Sequence, residues 1–281
     1  MDLSRAKTIL IVSFLLLNIF LGLRLYHSPQ YVRVRGGITG DEADLAREVL
    51  QNAGYEVSTV VPRQTPRLSL LHVSRPPVSG PFWSEKFWGD KGEITAVLQE
   101  GTLTLRKGGE TVQISPGGMV VYLRPGAGEA AGEDGRVNAD RFLRERNLLE
   151  DNLKFDLAIA AEDAAYLYRY LQTYRGFPLF SGYIDIRTSP EGIREARIYS
   201  ILPIGFSEKE LRVISAAAAV NTLVKQPGAF IAKKIVDISL GYYSQHYDAE
   251  RWEIAPVWRF AASDGSVFYV NAFTGEAEAE N

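Results

Sequence analysis

Histidines and paired carboxylates are the residue types in this sequence that could supply metal ligands, general acids and general bases. The chain has three histidines, His27, His72 and His246, and no two of them stand four residues apart, so no helical zinc-binding pair forms. The acidic pair Glu162 and Asp163 is expected in a turn between strands. Folding could still assemble an acid–base pair from distant carboxylates. The residues themselves predict no catalytic residue, no metal site and no cofactor, and hence a protein that is not an enzyme.

Two short patterns resemble catalytic or binding motifs but depart from them. Gly126, Gly128 and Gly132 follow an apolar run, but a dinucleotide-binding turn needs its third glycine one residue earlier and a helix directly after it. Ser4 and Lys7 have the spacing of an acyl-transfer motif, but the other motifs of that class do not accompany them. The sequence therefore predicts neither dinucleotide binding at the glycines nor acyl transfer at Ser4.

Charge and cysteine content exclude two further classes. The 281 residues carry 31 basic and 34 acidic side chains, a net charge of −3, whereas a nucleic-acid-binding protein needs a basic surface. The chain has no cysteine, which excludes disulfides and thiolate metal sites. The function classes that composition leaves open include binding to other proteins and binding to a membrane.

The amino-terminal segment has the composition of a membrane anchor. Residues 9–23 are almost entirely Leu, Ile, Val and Phe. A helix extended over residues 6–26 would be about 31 Å long, enough to cross a bilayer with Lys7 and Arg24 at its two ends. No small-residue cleavage site follows, so the pattern favours an uncleaved anchor over a secretory signal.

Polar and small residues in this segment suggest contact with another helix. Asn18 needs a hydrogen-bonding partner in a bilayer, either its own backbone and interfacial water or a neighbouring helix. Asn18 and Gly22 stand four apart and share a helix face. We therefore take Ser13, Asn18 and Gly22 as candidate contacts with a partner inside the membrane.

Helix and strand signals alternate along the remainder. A capping box of Thr39 and Glu42 begins a first helix that ends at Gly54, a second is expected near 138–149, and a third begins at Ser207 with Glu210. Strands are expected near 55–61, 67–73, 93–100, 102–107, 110–114, 119–124, 153–160, 164–175, 179–188, 193–203, 231–244, 251–262 and 266–273. Helices each followed by several antiparallel strands predict an α+β fold.

A Gly/Ala/Glu-rich stretch, "RPGAGEAAGEDG", interrupts this alternation and predicts a domain boundary. The predicted organisation begins with a tail at 1–7 and a transmembrane helix at 8–26. An α+β module at 28–123 follows, then a linker at 124–136 and a second α+β module at 137–281.

One predicted strand, "YLYRYLQTY", is rich in tyrosine. Its period of two places Tyr166, Tyr168, Tyr170 and Tyr174 on one face. Such a row suits either a half-buried sheet face under a helix or an exposed surface that binds a partner. The four residues are therefore candidates for an interaction of the globular part.

Several segments resemble the YycI family. The opening "MDLSRAKTILIVSFLLLNIFLGLRLY" is similar to the start of that family, with Leu3 in place of its usual aromatic residue. Toward the carboxyl terminus, "FPLFSGYIDI", "IVDISLGYYS", "APVWRF" and "FYVNAFTGE" resemble its recurring elements in the same order.

The resemblance implies a non-enzymatic regulator of the WalK/WalR (YycG/YycF) two-component system of Gram-positive bacteria. It implies a cytoplasmic tail, one transmembrane helix and an extracytoplasmic part whose second module is PepSY-like. The implied partners are a WalK-type sensor histidine kinase and a YycH-type protein in a hetero-oligomer, besides membrane lipid. The alternative function is a PepSY-like extracytoplasmic module that binds a peptide, a protease or a cell-wall fragment.

Overall fold

The computed structural model describes most of the chain from residue 37 onward. The described residues are Lys7, Ser13, Phe14, Leu17 and Asn18, which are helical, and residues 37–76, 79–89, 92–124, 135–161, 165–189, 192–226, 228, 230, 233–245 and 249–278. The four helices of the latter ranges are α1 Gly40–Asn52, α2 Gly80–Trp88, α3 Gly135–Glu145 and α4 Ala216–Val224. The fold is α+β, as predicted.

Seventeen strands accompany these helices. They are β1 Glu56–Val57, β2 Arg67–Leu68, β3 Leu71–Ser74, β4 Thr95–Gln99, β5 Thr102–Lys107, β6 Glu110–Ile114, β7 Val120–Leu123, β8 Leu153–Ala160, β9 Tyr166–Tyr174, β10 Phe177–Ser189, β11 Gly192–Tyr199, β12 Leu202–Phe206, β13 Leu211–Arg212, β14 Lys234–Tyr243, β15 Arg251–Ala262, β16 Val267–Asn271 and β17 Ala277–Glu278. Within the described ranges, fifteen of them form one large mixed sheet, and β2 pairs with β13 separately.

The capping box at the start of α1 is confirmed. The Thr39 hydroxyl oxygen accepts a hydrogen bond from the Glu42 amide at 3.3 Å, and the Glu42 carboxylate accepts one from the Thr39 amide at 3.0 Å. The buried face of this helix is formed by Ala43, Ala46 and Leu50, whereas Leu45 is exposed. Helix α1 packs against α4, and that partner selects a narrow face of small residues.

The predicted start of the third helix at Ser207 is wrong. Helix α4 begins after Ser215, whose hydroxyl oxygen accepts a hydrogen bond from the Ala218 amide at 3.1 Å. The Ser207 amide instead donates to the Leu70 carbonyl, extending the contact of β12 with β3. The pairing of β12 with β3 is thus more favourable than the helix start that Ser207 and Glu210 could form.

Helix α2 lies where the sequence predicted neither a helix nor a strand. Ser79 caps it by accepting from the Phe82 amide, and Pro81 occupies its first turn, where a missing amide proton costs nothing. Trp83 and Phe87 stand four apart and bury one side of the helix. The Pro/Gly-rich composition of this segment concealed an aromatic helix face.

The sheet has two halves, each covered by two helices. In the first half, α2 and α3 cover β4–β11 over a core that includes Val112, Tyr122 and Ile186. In the second half, α1 and α4 cover strands β14–β16, with Trp258 and Phe260 in the core. Strands β1 and β3 also pair there, with β14 and β15, so residues 40–74 pack with the carboxy-terminal part of the chain.

The two halves join at one parallel contact. Strands β10 and β14 pair through Leu179 and Tyr242. Gly241 lies beside this contact, and a Cβ atom there would stand 2.5 Å from the Pro178 carbonyl oxygen and 2.7 Å from the Phe180 ring. The backbones approach so closely at this seam that a side chain has no room.

Arg259 fixes the seam from the face opposite the helices. Its side chain is 5% exposed and donates to both oxygens of Asp156 at 2.7 and 2.6 Å and to Asp237 at 2.8 Å. Burial acts to lower the pKa of Arg259, but the hydrogen bonds and charges of the two carboxylates outweigh it and raise the pKa. Because Asp156 lies on β8 and Arg259 on β15, the ion pair ties the outer strand of the first half to the second half.

Across the described residues, no helix is both long enough and apolar enough to cross a membrane. Of the predicted anchor, 8–26, only Ser13, Phe14, Leu17 and Asn18 are described. Most of the predicted linker 124–136 also lies outside the described ranges, so the boundary it marks stays a prediction.

Replacing Gly241 by alanine should separate the seam. Because the added methyl group would overlap Pro178 and Phe180, we expect the free energy of unfolding to fall by about 1–3 kcal/mol. Urea unfolding followed by tryptophan fluorescence measures it. Gly205→Ala is the matched control, since a Cβ atom there meets nothing within 4 Å. Equal stability of both variants would contradict the close approach.

The Arg259–Asp156 pair can be tested by a double-mutant cycle. Arg259→Met leaves the buried Asp156 carboxylate without its partner and should cost about 3–5 kcal/mol of unfolding free energy. Asp156→Leu leaves Arg259 with Asp237 as its remaining partner and should also destabilise the fold. The double variant should lose less than either single variant, because no charge is stranded. Glu210→Ala, which breaks an exposed pair with Arg67, should leave the stability unchanged. Additive losses would show that the two side chains act independently.

Candidate partner-binding surfaces

The described residues form no group of three or more His, Cys, Asp or Glu side chains that could hold a metal ion. His72 pairs across strands with Glu253, its Nδ1 atom 3.4 Å from a carboxylate oxygen, and both side chains are exposed. The other candidate residues for chemistry, His27, His246 and the pair at 162–163, lie outside the described residues.

The middle of the tyrosine row is buried under α3. Tyr170 is 1% exposed, and its hydroxyl donates to an Asp140 carboxylate oxygen at 2.6 Å. Burial, and then the hydrogen bond and charge of Asp140, raise the pKa of Tyr170 above its ordinary value. Tyr168 is buried in the same cluster. These two side chains hold α3 on the sheet.

The two ends of the row differ from its middle. Tyr174 is half-buried, with its ring 5.4 Å from that of Phe206 on β12. Tyr166 is 45% exposed and stacks against Tyr168 at a centroid distance of 6.0 Å. Of the four predicted residues, Tyr166 alone is exposed, so it is the member of the row that a partner can reach.

The opposite face of β9–β11 carries ordered charges that the sequence analysis did not single out. Arg169 donates to both oxygens of Asp185 at 2.7 Å, and its guanidinium lies 5.1 Å from the centre of the Tyr183 ring. Burial acts to lower the pKa of Arg169, but its hydrogen bonds and the charge of Asp185 raise it overall. The two hydrogen bonds thus fix the position of the Arg169 guanidinium on this face.

On the same face, Arg187 and Arg197 both pair with Glu195 of β11 and remain more than half exposed. Cross-strand placement brings these residues together, because β10 and β11 are antiparallel neighbours. Two exposed guanidinium groups over one carboxylate give this face an excess of positive charge. The signal in the sequence was the alternation of charged and apolar residues in both strands.

Strand β4 forms an exposed edge of the sheet. It ends the strand order, every one of its residues is exposed, and Leu98 is 72% exposed. Its neighbour Val97 is exposed as well. Natural edge strands usually carry lysine, proline or a bulge, which prevent pairing with another chain. Strand β4 has none of these, so its free backbone groups can pair with an added strand.

The predicted membrane contacts are only partly described. Ser13 and Asn18 are helical and exposed, and Gly22 lies outside the described residues. Phe14 and Leu17 on the same stretch are exposed large apolar side chains. A contact of these residues with another helix stays a prediction.

Among solved structures, an uncharacterized protein from Eubacterium rectale has a similar fold. Its TM-score is 0.51 at 10% sequence identity, and the match covers 84% of this chain and 99% of that one. YycH from Bacillus subtilis matches at a TM-score of 0.48 and 11% identity, covering 73% of this chain and 53% of its own. The C-terminal domain of YpeB from Bacillus megaterium matches at 0.41 and 15%, covering 72% and 96%.

A comparison with curated proteins gives no match. The family model described as "YycI protein" matches residues 45–273, which is well over half of the 281 residues. The matched region begins within α1 and ends just after β16, so it includes α2–α4, the seam, the tyrosine row and strand β4. The chain belongs to the YycI family.

Proposed function

We propose that this chain is a non-enzymatic, membrane-anchored accessory regulator that binds a WalK-type sensor histidine kinase together with a YycH-type partner. The observation that carries the proposal is membership of the YycI family over residues 45–273. The apolar run at residues 9–23 supports the anchored form.

In this proposal the chain crosses the membrane once. Residues 1–7 are cytoplasmic, residues 8–26 form the transmembrane helix, and the α+β part lies outside the cell. The packing of α4 against the antiparallel strands β14–β16 is compatible with a PepSY-like second module. The large sheet with its buried seam would hold the outer surfaces in fixed positions relative to the membrane.

The regulation needs no covalent chemistry. A sensor kinase has at least two signalling conformations, and a partner that binds one of them more tightly shifts the population toward it. A difference in binding free energy of about 1–3 kcal/mol changes that equilibrium by a factor of about 5–150. A hydrogen bond from Asn18 and close helix packing at Gly22 can contribute free energies of this size.

The outer surfaces supply the second set of contacts. Tyr166, the exposed edge strand β4 and the arginines over Glu195 lie on the first half of the sheet. Edge-strand pairing and aromatic contact are common ways in which proteins recognise one another. The YycH-type partner is proposed to dock on this half.

The alternative function, binding of a peptide, a protease or a cell-wall fragment by the extracytoplasmic part, is favoured by one observation. An apolar cavity opens beside α2 in the first half of the sheet.

The helix contact is tested by Asn18→Leu/Gly22→Leu in the full chain. Leucine removes the polar group and blocks close approach, so co-purification with the kinase in mild detergent should fall several-fold. Leu16→Ile/Phe20→Leu is the control, because these positions lie about 200° away on an ideal helix. Undiminished association of the first variant would count against the proposed face.

Two tyrosines of the row should affect different properties, one the affinity for the partner and the other the stability of the fold. Tyr166→Ala should weaken binding to the YycH-type partner and lower the thermal stability only slightly, because this residue is 45% exposed and its ring stacks on Tyr168. Tyr170→Phe should lower the unfolding free energy by about 0.5–1.5 kcal/mol through loss of its bond to Asp140. Titration calorimetry and thermal melts measure the two effects. Full partner affinity of the Tyr166 variant would remove that residue from the docking surface.

A further inference from the structure

The side of the first half that lies opposite α2 and α3 carries its side chains in rows across the strands. Because neighbouring residues of a strand point to opposite faces, the residues next to Tyr122 and Ile186 point away from the helix-covered core. The strand register places in one row Arg106, Thr111, Leu123, Glu195 and Arg187. The adjacent row consists of Gln113, Val121, Arg197, Asp185 and Arg169. These two rows form a surface that we call the arginine face.

The arginine face has an excess of positive charge. Arg169 contributes no net charge, because its two hydrogen bonds go to a carboxylate of the same face. Glu195 balances only one of its two neighbours Arg187 and Arg197, whose side chains are 52% and 55% exposed. Arg106 adds a third exposed guanidinium. Although the whole chain has a net charge of −3, this face therefore favours an anionic partner.

Apolar side chains between the guanidinium groups indicate that the anionic partner is a protein. Val121 and Leu123 of β7 are half-buried and lie between Arg106 on β5 and Glu195 on β11. A phosphate polymer has no apolar groups to cover them, whereas a protein segment can combine carboxylates with an apolar side chain. Glu195 also repels a dianionic phosphate more strongly than a carboxylate. Arginine beside apolar side chains is typical of protein–protein interfaces.

The spacing of the charges fits an extended segment that crosses the strands. Arg106 on β5 and Glu195 on β11 are separated by three strand spacings, or about 14 Å. Residues i and i+4 of an extended chain are about 13 Å apart and point to the same face. A carboxylate at i near Arg106 thus brings the carboxylate at i+4 near Arg187 and Arg197, and it brings residue i+2 over Leu123. Such a crossing is feasible, because strands of packed layers can lie at nearly right angles.

We infer that the arginine face docks an extended acidic segment of the partner protein, with carboxylate side chains at positions i and i+4 and an apolar side chain at i+2. Arg106 holds the first carboxylate, and Arg187 and Arg197 share the second through charge-assisted hydrogen bonds. The inference rests on the proposed function for the identity of the partner, a YycH-type protein. It adds which side of the first half faces that partner and what the contacting segment contains.

The spacing is tested with short peptides and the full chain in phosphatidylcholine nanodiscs, with empty nanodiscs as the blank. Saturation-transfer NMR measures acetyl-Glu-Thr-Leu-Thr-Glu-amide, whose carboxylates stand four apart, and its isomer acetyl-Thr-Glu-Leu-Glu-Thr-amide, whose carboxylates stand two apart. The first should bind saturably with a dissociation constant on the order of millimolar, and the isomer about three- to tenfold more weakly. Equal affinities, or no saturable binding of the first peptide, would overturn the inference.

Two further probes distinguish a protein segment from other anions. Acetyl-Glu-Thr-Ser-Thr-Glu-amide lacks the apolar side chain and should bind about two- to fivefold more weakly than the leucine peptide. Pyrophosphate at the concentration of the leucine peptide should displace less than about half of it, because it cannot cover the apolar residues. Equal binding of the leucine and serine peptides, or complete displacement by pyrophosphate, would overturn the assignment to a protein segment.

Charge variants locate the binding on the arginine face. Arg106 is exposed, so Arg106→Glu should fold normally and should reduce binding of the leucine peptide about three- to tenfold. Arg187→Gln leaves Glu195 paired with Arg197 and should reduce binding about two- to fivefold. Arg141→Glu reverses the charge of an exposed residue on α3, on the other side of the sheet, and should leave binding unchanged. Thermal melts check the fold, and unchanged binding by either variant of the face would overturn its role.

Co-purification of the YycH-type partner with the same variants is measured in parallel, and Arg106→Glu should lower the amount recovered. If the partner co-purifies equally with the wild-type chain and with Arg106→Glu, the docking face is overturned while the proposed function stands. If the leucine peptide binds but the partner does not co-purify even with the wild-type chain, the proposed function fails and the acidic-segment site stands.

Discussion

The ion pair between Arg259 and Asp156 is the constraint on which the arrangement of the two halves depends. A buried guanidinium is tolerated only if carboxylates meet it with good geometry, and here two oxygens of Asp156 and one of Asp237 lie within 2.8 Å. The three residues come from strands β15, β8 and β14, so the pair can be complete only when both halves are folded and in contact. Because the buried guanidinium of Arg259 must be paired with these carboxylates, the ion pair favours one relative position of the two halves.

The strands and helices of the second half are not consecutive along the chain. Residues 40–74 precede the first half along the chain but contribute α1, β1 and β3 to the second half. The meander from β4 to β11 is inserted between segments that pack together. An outer scaffold with one fixed geometry suits a protein whose proposed role is to hold a membrane helix and a docking surface in register for a partner.

Local signals in the sequence predicted local structure. The strands at 102–107 and 110–114 and the capping box at Thr39 depend on neighbouring residues and are confirmed. The start of α4 was predicted wrongly, because pairing of β12 with the distant β3 outweighed a capping pattern.

The partners of Arg259 lie up to 103 residues away and could not be inferred, since no local pattern joins a lone arginine to a lone aspartate. For the tyrosine row, strand periodicity predicted the shared face, but burial by α3 separated Tyr166 from Tyr170.

The central claim is that this YycI-family chain changes a kinase by binding and not by catalysis. The most direct measurement is the autophosphorylation rate of a WalK-type kinase in proteoliposomes, with and without the full chain and its YycH-type partner. A shift between signalling states predicts a rate change that saturates with the amount of bound regulator, by a factor of about 5–150. An unchanged rate in vesicles where the complex has formed would contradict the account.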